Sequence, residues 1–178
     1  MNMTEGELQK FKERLISLRE NIVGYENVFG FVLREYHEVI GNDPFAFSDF
    51  LHKSSGRVLA WYENVREMLV SGMAEHMKYV DTMHVCIGSV EKFDGYIRNT
   101  DKQMEELHRA VLSACDKFEN ANAHGNAVRI EAEADWENVF MGIFTAVGED
   151  CRQICGCISA CIDEYTKVIA QIKNLNIG

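Results

Sequence analysis

The sequence predicts an all-α protein, an elongated antiparallel bundle of three long helices, and three observations lead there. Only one proline occurs in 178 residues. Proline ends helices and turn-rich folds use many, so its scarcity favours long uninterrupted helices. Apolar residues recur at alternating spacings of three and four along most of the chain, which keeps them on one stripe of a helix, the heptad pattern. Finally, 47% hydrophobic and 26% charged residues in a chain of this length suffice to bury one core, so residues 1–178 read as a single domain.

The first stripe is Leu8, Phe11, Leu15, Leu18, Ile22, Tyr25, Phe29, Val32, Tyr36 and Val39, which predicts a helix over about 5–40. Thr4 with Glu7 makes a capping box at its start, and Gly41 suits the left-handed position past its end. "NDPF" supplies a turn, with Asp43 as N-cap and Pro44 at the first helical position. The second stripe runs Val58, Trp61, Val65, Met68, Gly72, then His76, Tyr79, Met83, Cys86, Val90, Phe93 and Ile97. It continues in phase through "RNTD" as Thr100, Met104, Leu107, Val111, Ala114, Phe118 and Ala121. A loop of arbitrary length would lose that register, so one helix over about 45–122 is expected. Thr100 with Gln103 also reads as a capping box, and a break near 98–101 would give a four-helix bundle instead.

"NANAHGNA" reads as a turn, with Gly125 closing the second helix and Asn126 capping the third. The last stripe, Trp136, Phe140, Ile143, Val147, Cys151, Ile154, Ile158, Cys161, Tyr165, Val168, Ile172 and Leu175, predicts a helix over about 127–175. Three such helices would span roughly 55, 115 and 75 Å. Each half of the longest would then have one partner within the chain. Ile16, Val28, Leu69, Ile87, Phe144 and Ile162 would be left partly wet, and self-association would cover them.

Charge excludes some functions. The net charge is −10, and acidic residues outnumber basic ones in each of the segments 1–42, 43–98, 99–126 and 127–178. A nucleic-acid binder needs a basic stripe, and so usually does a protein that meets anionic lipid. Nucleic acid is therefore not an expected partner, and charge gives no support to membrane contact. The N-terminal "MNMTEGELQK" lacks the apolar centre of a signal peptide, and no apolar run approaches the ~18 residues that span a bilayer. A cytoplasmic location follows as the expectation, and with it six cysteines held as thiols.

Four of those cysteines fall in "CRQICGCISAC", residues 151–161. At 100° per residue, Cys151 and Cys155 lie about 40° apart, as do Cys157 and Cys161, but about 200° separates Cys155 from Cys157. The four cannot converge on one ion; at most they provide two half-sites, each completed by another helix. Cys151 and Cys161 sit on the stripe, where cysteine packs as a small apolar residue, so the run is expected to be structural, reduced and metal-free, with no cofactor. Were a metal bound, the candidate ligands are Cys86, Cys151, Cys155, Cys161, His76 and Met83. A turn centred near 124 sets Cys161 opposite Cys86, in a stretch where His76, Met77, Met83, His84 and Cys86 suit copper(I). The idea is superficially similar to the copper-storage proteins, four-helix bundles with inward "CxxxC" pairs, from which this chain departs in having few thiols and none along most of the second helix.

Phe45, Phe47 and Phe50 in "DPFAFSDF" either staple the first turn to the bundle or form a docking patch for a partner chain. No phosphate loop, "HExxH", "GxSxG" or Cys/His/Asp set at a known spacing occurs. The expectation is a protein without catalytic residues.

The stretches "LRENIVGYENVFGFVLREY", "FLHKSSGRVLAWYENVREML", "RIEAEADWENVFMGIF" and "ISACIDEYTKVIAQIKNL" resemble the BAR-domain superfamily, closest to the BAR part of sorting nexins. The resemblance implies a helical scaffold or adaptor that dimerises with itself or a related helical chain, mediates protein–protein contacts at curved membranes, and serves membrane trafficking without catalysis. This chain departs from that pattern in being short and in lacking basic clusters: Arg109, Lys117 and Arg129 are outnumbered around the presumed tip by Asp116, Glu119, Glu131, Glu133 and Asp135. Two alternatives are a helical partner or chaperone of a bacterial type VII-like secretion system, although the "WxG" turn is missing, and a soft-metal (copper) binding bundle.

Overall fold

The computed structural model describes residues 2–40, 44–124 and 126–177, with side chains at 5–40, 46–118, 127 and 129–175. Its elements are α1 (Asn2–Val23), α2 (Tyr25–Val39), α3 (Pro44–Met83), α4 (Ser89–His124) and α5 (Asn126–Ile177), with no strand among the described residues. Gly24 between α1 and α2 is itself right-handed helical (φ −56°, ψ −13°), so the two together match the first expected helix. α2 stops where Ile40 turns extended and its N–H bonds the Tyr36 carbonyl at 2.9 Å. Pro44 opens α3 as expected, its missing N–H falling where the first turn needs no donor. Thr4 falls inside α1, which begins at Asn2, and so is not at its N-cap; the caps assigned to Gly41, Asp43 and Gly125, and the Asn126 side chain, lie outside the described residues.

The long second helix is corrected. Residues 84–88 interrupt it, so α3 and α4 replace the single rod expected over 45–122, and the break is not at 98–101. His84 and Cys86 take left-handed backbone angles (φ 55° and 54°) and Gly88 φ 83°. Such angles cannot continue a right-handed helix, and for residues with a Cβ they cost about 1–2 kcal/mol each. The Ser89 N–H closes the turn on the Cys86 carbonyl at 3.0 Å. The phase survives because the helices on both sides of this short reversal face the same core. Thr100, by contrast, lies inside α4, fully buried, with its hydroxyl unpaired, and Gln103 bonds Asp150 at 2.9 Å instead of capping a helix.

Two compact units divide the chain: unit 1 comprises Met1–Val23, Asn64–Ile97 and Cys151–Gly178, and unit 2 Gly24–Glu63 and Arg98–Asp150. Each contains four helical segments, antiparallel between successive elements. Unit 2 pairs Glu35 with Arg57 (3.1 Å), Tyr62 with Asp101 (2.5 Å) and Lys117 with Asp135 (2.8 Å). Its core is aromatic: Phe29 stacks on Phe144 at 5.0 Å, Phe47 on Phe118 at 4.5 Å, and Trp136 on Phe140 at 4.9 Å. Phe47 and Phe50 are buried there against Tyr36 and Trp136. They staple α3 to the core and present no face to a partner, while the Phe45 side chain is outside the described residues.

In unit 1, Arg14 meets Glu75 at 2.7 Å, Asn21 meets Asn64 at 3.4 Å, Arg19 meets Ser159 at 3.0 Å, and Tyr96 meets Cys151 at 3.5 Å. Paired numbers that rise on one element and fall on the other define an up-down-up-down bundle. With three neighbours instead of one, Leu69 and Ile162 are buried within the chain, against the expectation that they stay partly wet, whereas Ile87 is 80% exposed.

Candidate metal centre

The reversal at 84–88 carries Cys86 into the core of unit 1. Its side chain is buried, and its N–H donates to Glu164 Oε2 of α5 at 2.6 Å, which anchors the loop. Stripe positions on two helices meet it there. His76 lies two turns before the end of α3, and Cys161 lies midway along the part of α5 in unit 1; they are 1% and 2% exposed. One ligand atom from each of His76, Cys86 and Cys161 lies within 4.8 Å of the other two. The expected opposition of Cys161 and Cys86 is thus present, because the α4–α5 reversal falls where the sequence places it.

Two hydrogen bonds fix the imidazole among these donors. The two His76 nitrogens are taken by Ser89 Oγ (Nε2, 2.6 Å) and by the Tyr165 hydroxyl (Nδ1, 2.8 Å). Phe11 stacks on the imidazole at 5.7 Å, and Phe93 packs against it at 5.1 Å. A cavity of about 90 Å³ lined by Phe11, Leu15, Met68, Gly72 and Phe93 reaches His76.

Burial sets the protonation states. Desolvation brings His76 down to about 4, so the imidazole is neutral at pH 7 with a lone pair to offer. On Cys161, the hydrogen bond from Cys157 acts downward. The hydrogen bond to Cys86, burial and the charge of Cys86 outweigh it and push the thiol up to about 12. Cys157 is raised well above the usual thiol range, first by its bond to Cys161 and then by burial. The pocket offers two soft sulfurs and one borderline nitrogen, the donors that thiophilic cations select.

The other candidate ligands stay apart. Cys151 is buried against Tyr96, Cys155 is half-buried near Arg19, and Met83 is the last residue of α3. Met77 is 45% exposed, and His84 is exposed on the loop. Sequence reasoning did not single out Ser89, Tyr165 or Glu164 as groups that hold the ligands; the register that pairs Cys161 with Cys86 would have found the first two. No family model, no curated protein and no solved structure matches the chain.

Proposed function

We propose that the protein is a non-catalytic helical bundle that binds one thiophilic metal ion through His76, Cys86 and Cys161. The observation that supports this is the meeting of three buried ligand side chains, from three separate elements, within 4.8 Å. One of the three, Cys86, sits on a left-handed residue. Backbone strain of this kind is concentrated where a side chain must be aimed. The imidazole is held at both nitrogens, so one can ligate while the other keeps the hydrogen bond that fixes the ring. Binding would displace the proton of Cys161, whose thiol is pushed up to about 12, which makes affinity rise with pH.

The test is metal analysis of protein purified without added metal, followed by titration of the stripped protein with zinc and with copper(I) against chromophoric chelators. One ion per chain is expected, with loss of binding in Cys86→Ser and Cys161→Ser and a melting temperature that rises with the ion. A chain with micromolar affinity for neither ion returns the cluster to a packed, hydrogen-bonded core. The dimerising scaffold, in its BAR-like or secretion-partner form, is a separate proposal, supported by the exposure of Val70 (50%), Met77 and Ile87. Mass in solution with and without anionic liposomes tests it.

A further inference from the structure

Three donors leave a tetrahedral ion one short, and the helical spacing on α5 shows where a fourth can stand. Cys157 lies one helical turn before Cys161 on α5 and is half-buried. An i, i+4 pair projects from one face of a helix, the spacing at which two side chains can chelate one ion. Cys157 is outside the set whose ligand atoms are mutually within 4.8 Å, and rotation about a single side-chain torsion moves a thiol. The remaining thiols of the run have other surroundings, Cys151 against Tyr96 and Cys155 beside Arg19.

Charge separates the possible ions. Three thiolates and a neutral imidazole around a divalent cation sum to −1, and around a monovalent one to −2. Lys92, in the first turn of α4, is the cation that acts on Cys157. It offsets the first total but leaves the second with an uncompensated charge among buried side chains, which is costly.

We propose that Cys157 is the fourth donor, completing a Cys3His site with His76, Cys86 and Cys161 for a divalent cation of the zinc class, with Lys92 as its counter-charge; this rests on the metal reading above. Tetrahedral zinc accepts this donor set without distortion.

Cobalt(II) reports it. The stripped wild-type chain, Cys157→Ser, Cys157→Ala and Cys155→Ser are each titrated with cobalt and then displaced by zinc. Wild type is expected to give the intense visible bands of a four-coordinate ion and strong thiolate-to-cobalt absorption. In both Cys157 variants that absorption, per bound cobalt, should fall by about one third, as one of three sulfurs is lost. Zinc affinity should drop about 10-fold or more, with Cys155→Ser unchanged. Wild-type absorption in the Cys157 variants would overturn the fourth-donor role while leaving the three-ligand centre intact. The same loss in Cys155→Ser, or copper(I) bound where zinc and cobalt are refused, would overturn it too. Failure of wild type to bind any of the three ions would remove the centre itself.

Discussion

Unit 1 and unit 2 are both built from four antiparallel segments, yet they fill their interiors differently. Both tryptophans, Trp61 and Trp136, fall in unit 2, whereas five of the six cysteines, all but Cys115, fall in unit 1. The centre of unit 2 is held by ring contacts, with its polar partners towards the margin, as where the Tyr36 hydroxyl bonds Glu137 at 3.0 Å. At the centre of unit 1 an imidazole is hydrogen-bonded between two hydroxyls, beside two buried thiols and inside an apolar shell. Ring packing tolerates any arrangement that fills the volume, but a polar ring must be satisfied group by group. Among the described residues the demanding construction is found in unit 1, and that is where chemistry is to be sought.

The largest effect expected of a single change is on the packed side. Trp136→Ala removes a ring in contact with Tyr36, Phe50 and Phe140 and should cost about 3–5 kcal/mol. Urea denaturation of the stripped and the zinc-loaded protein should give the same loss. A cost that zinc abolishes would show that the two interiors are not independent in kind.

The polar side should answer to pH. The folded value of His76, about 4, lies below its ordinary 6.5, so the unfolded chain takes up the proton first. The contribution is complete above 6.5 and is lost as pH falls towards 4, about 3 kcal/mol in all. In the metal-free protein, the fall in urea midpoint between pH 7 and pH 4.5 should be smaller in His76→Gln than in wild type. Equal falls would mean that His76 is solvated and that the contrast between the units is overdrawn.

The smallest effect separates packing thiols from ligand thiols. Cys151→Ala trims a buried side chain beside Tyr96 and should cost about 1 kcal/mol, with metal stoichiometry unchanged by elemental analysis. Loss of the ion would move the centre along α5.

Much of this was legible in the sequence. The stripe residues from Leu8 to Tyr36 and from Trp136 to Tyr165 are buried, because the spacing of apolar side chains on a helix dictates which face turns inward. The pairing of Cys86 with Cys161 followed from one turn position and the helical rise. What escaped was the reversal at 84–88. The residues that bend the chain there include His84 and Cys86, which carry no turn signature. Only Gly88 before Ser89, with Glu91 in the first turn of α4, marks the new helix. Phase continuity, the ground for one long helix, cannot distinguish a straight rod from a tight return that faces the same core. Ile87 illustrates the cost: read as the flank of a helix, it stands 80% exposed on the loop.

The division of the chain also orders events during synthesis. Neither unit is one contiguous stretch, so no single cut of the polypeptide yields either one whole. All of unit 2 has been translated once Asp150 is added, while unit 1 still awaits its segment from Cys151 onwards. Domains form as their residues emerge from the ribosome. The aromatic half can therefore assemble on a nascent chain in which His76 and Cys86 are present but Cys161 is not, and the three side chains can come together only after Cys161 has been added.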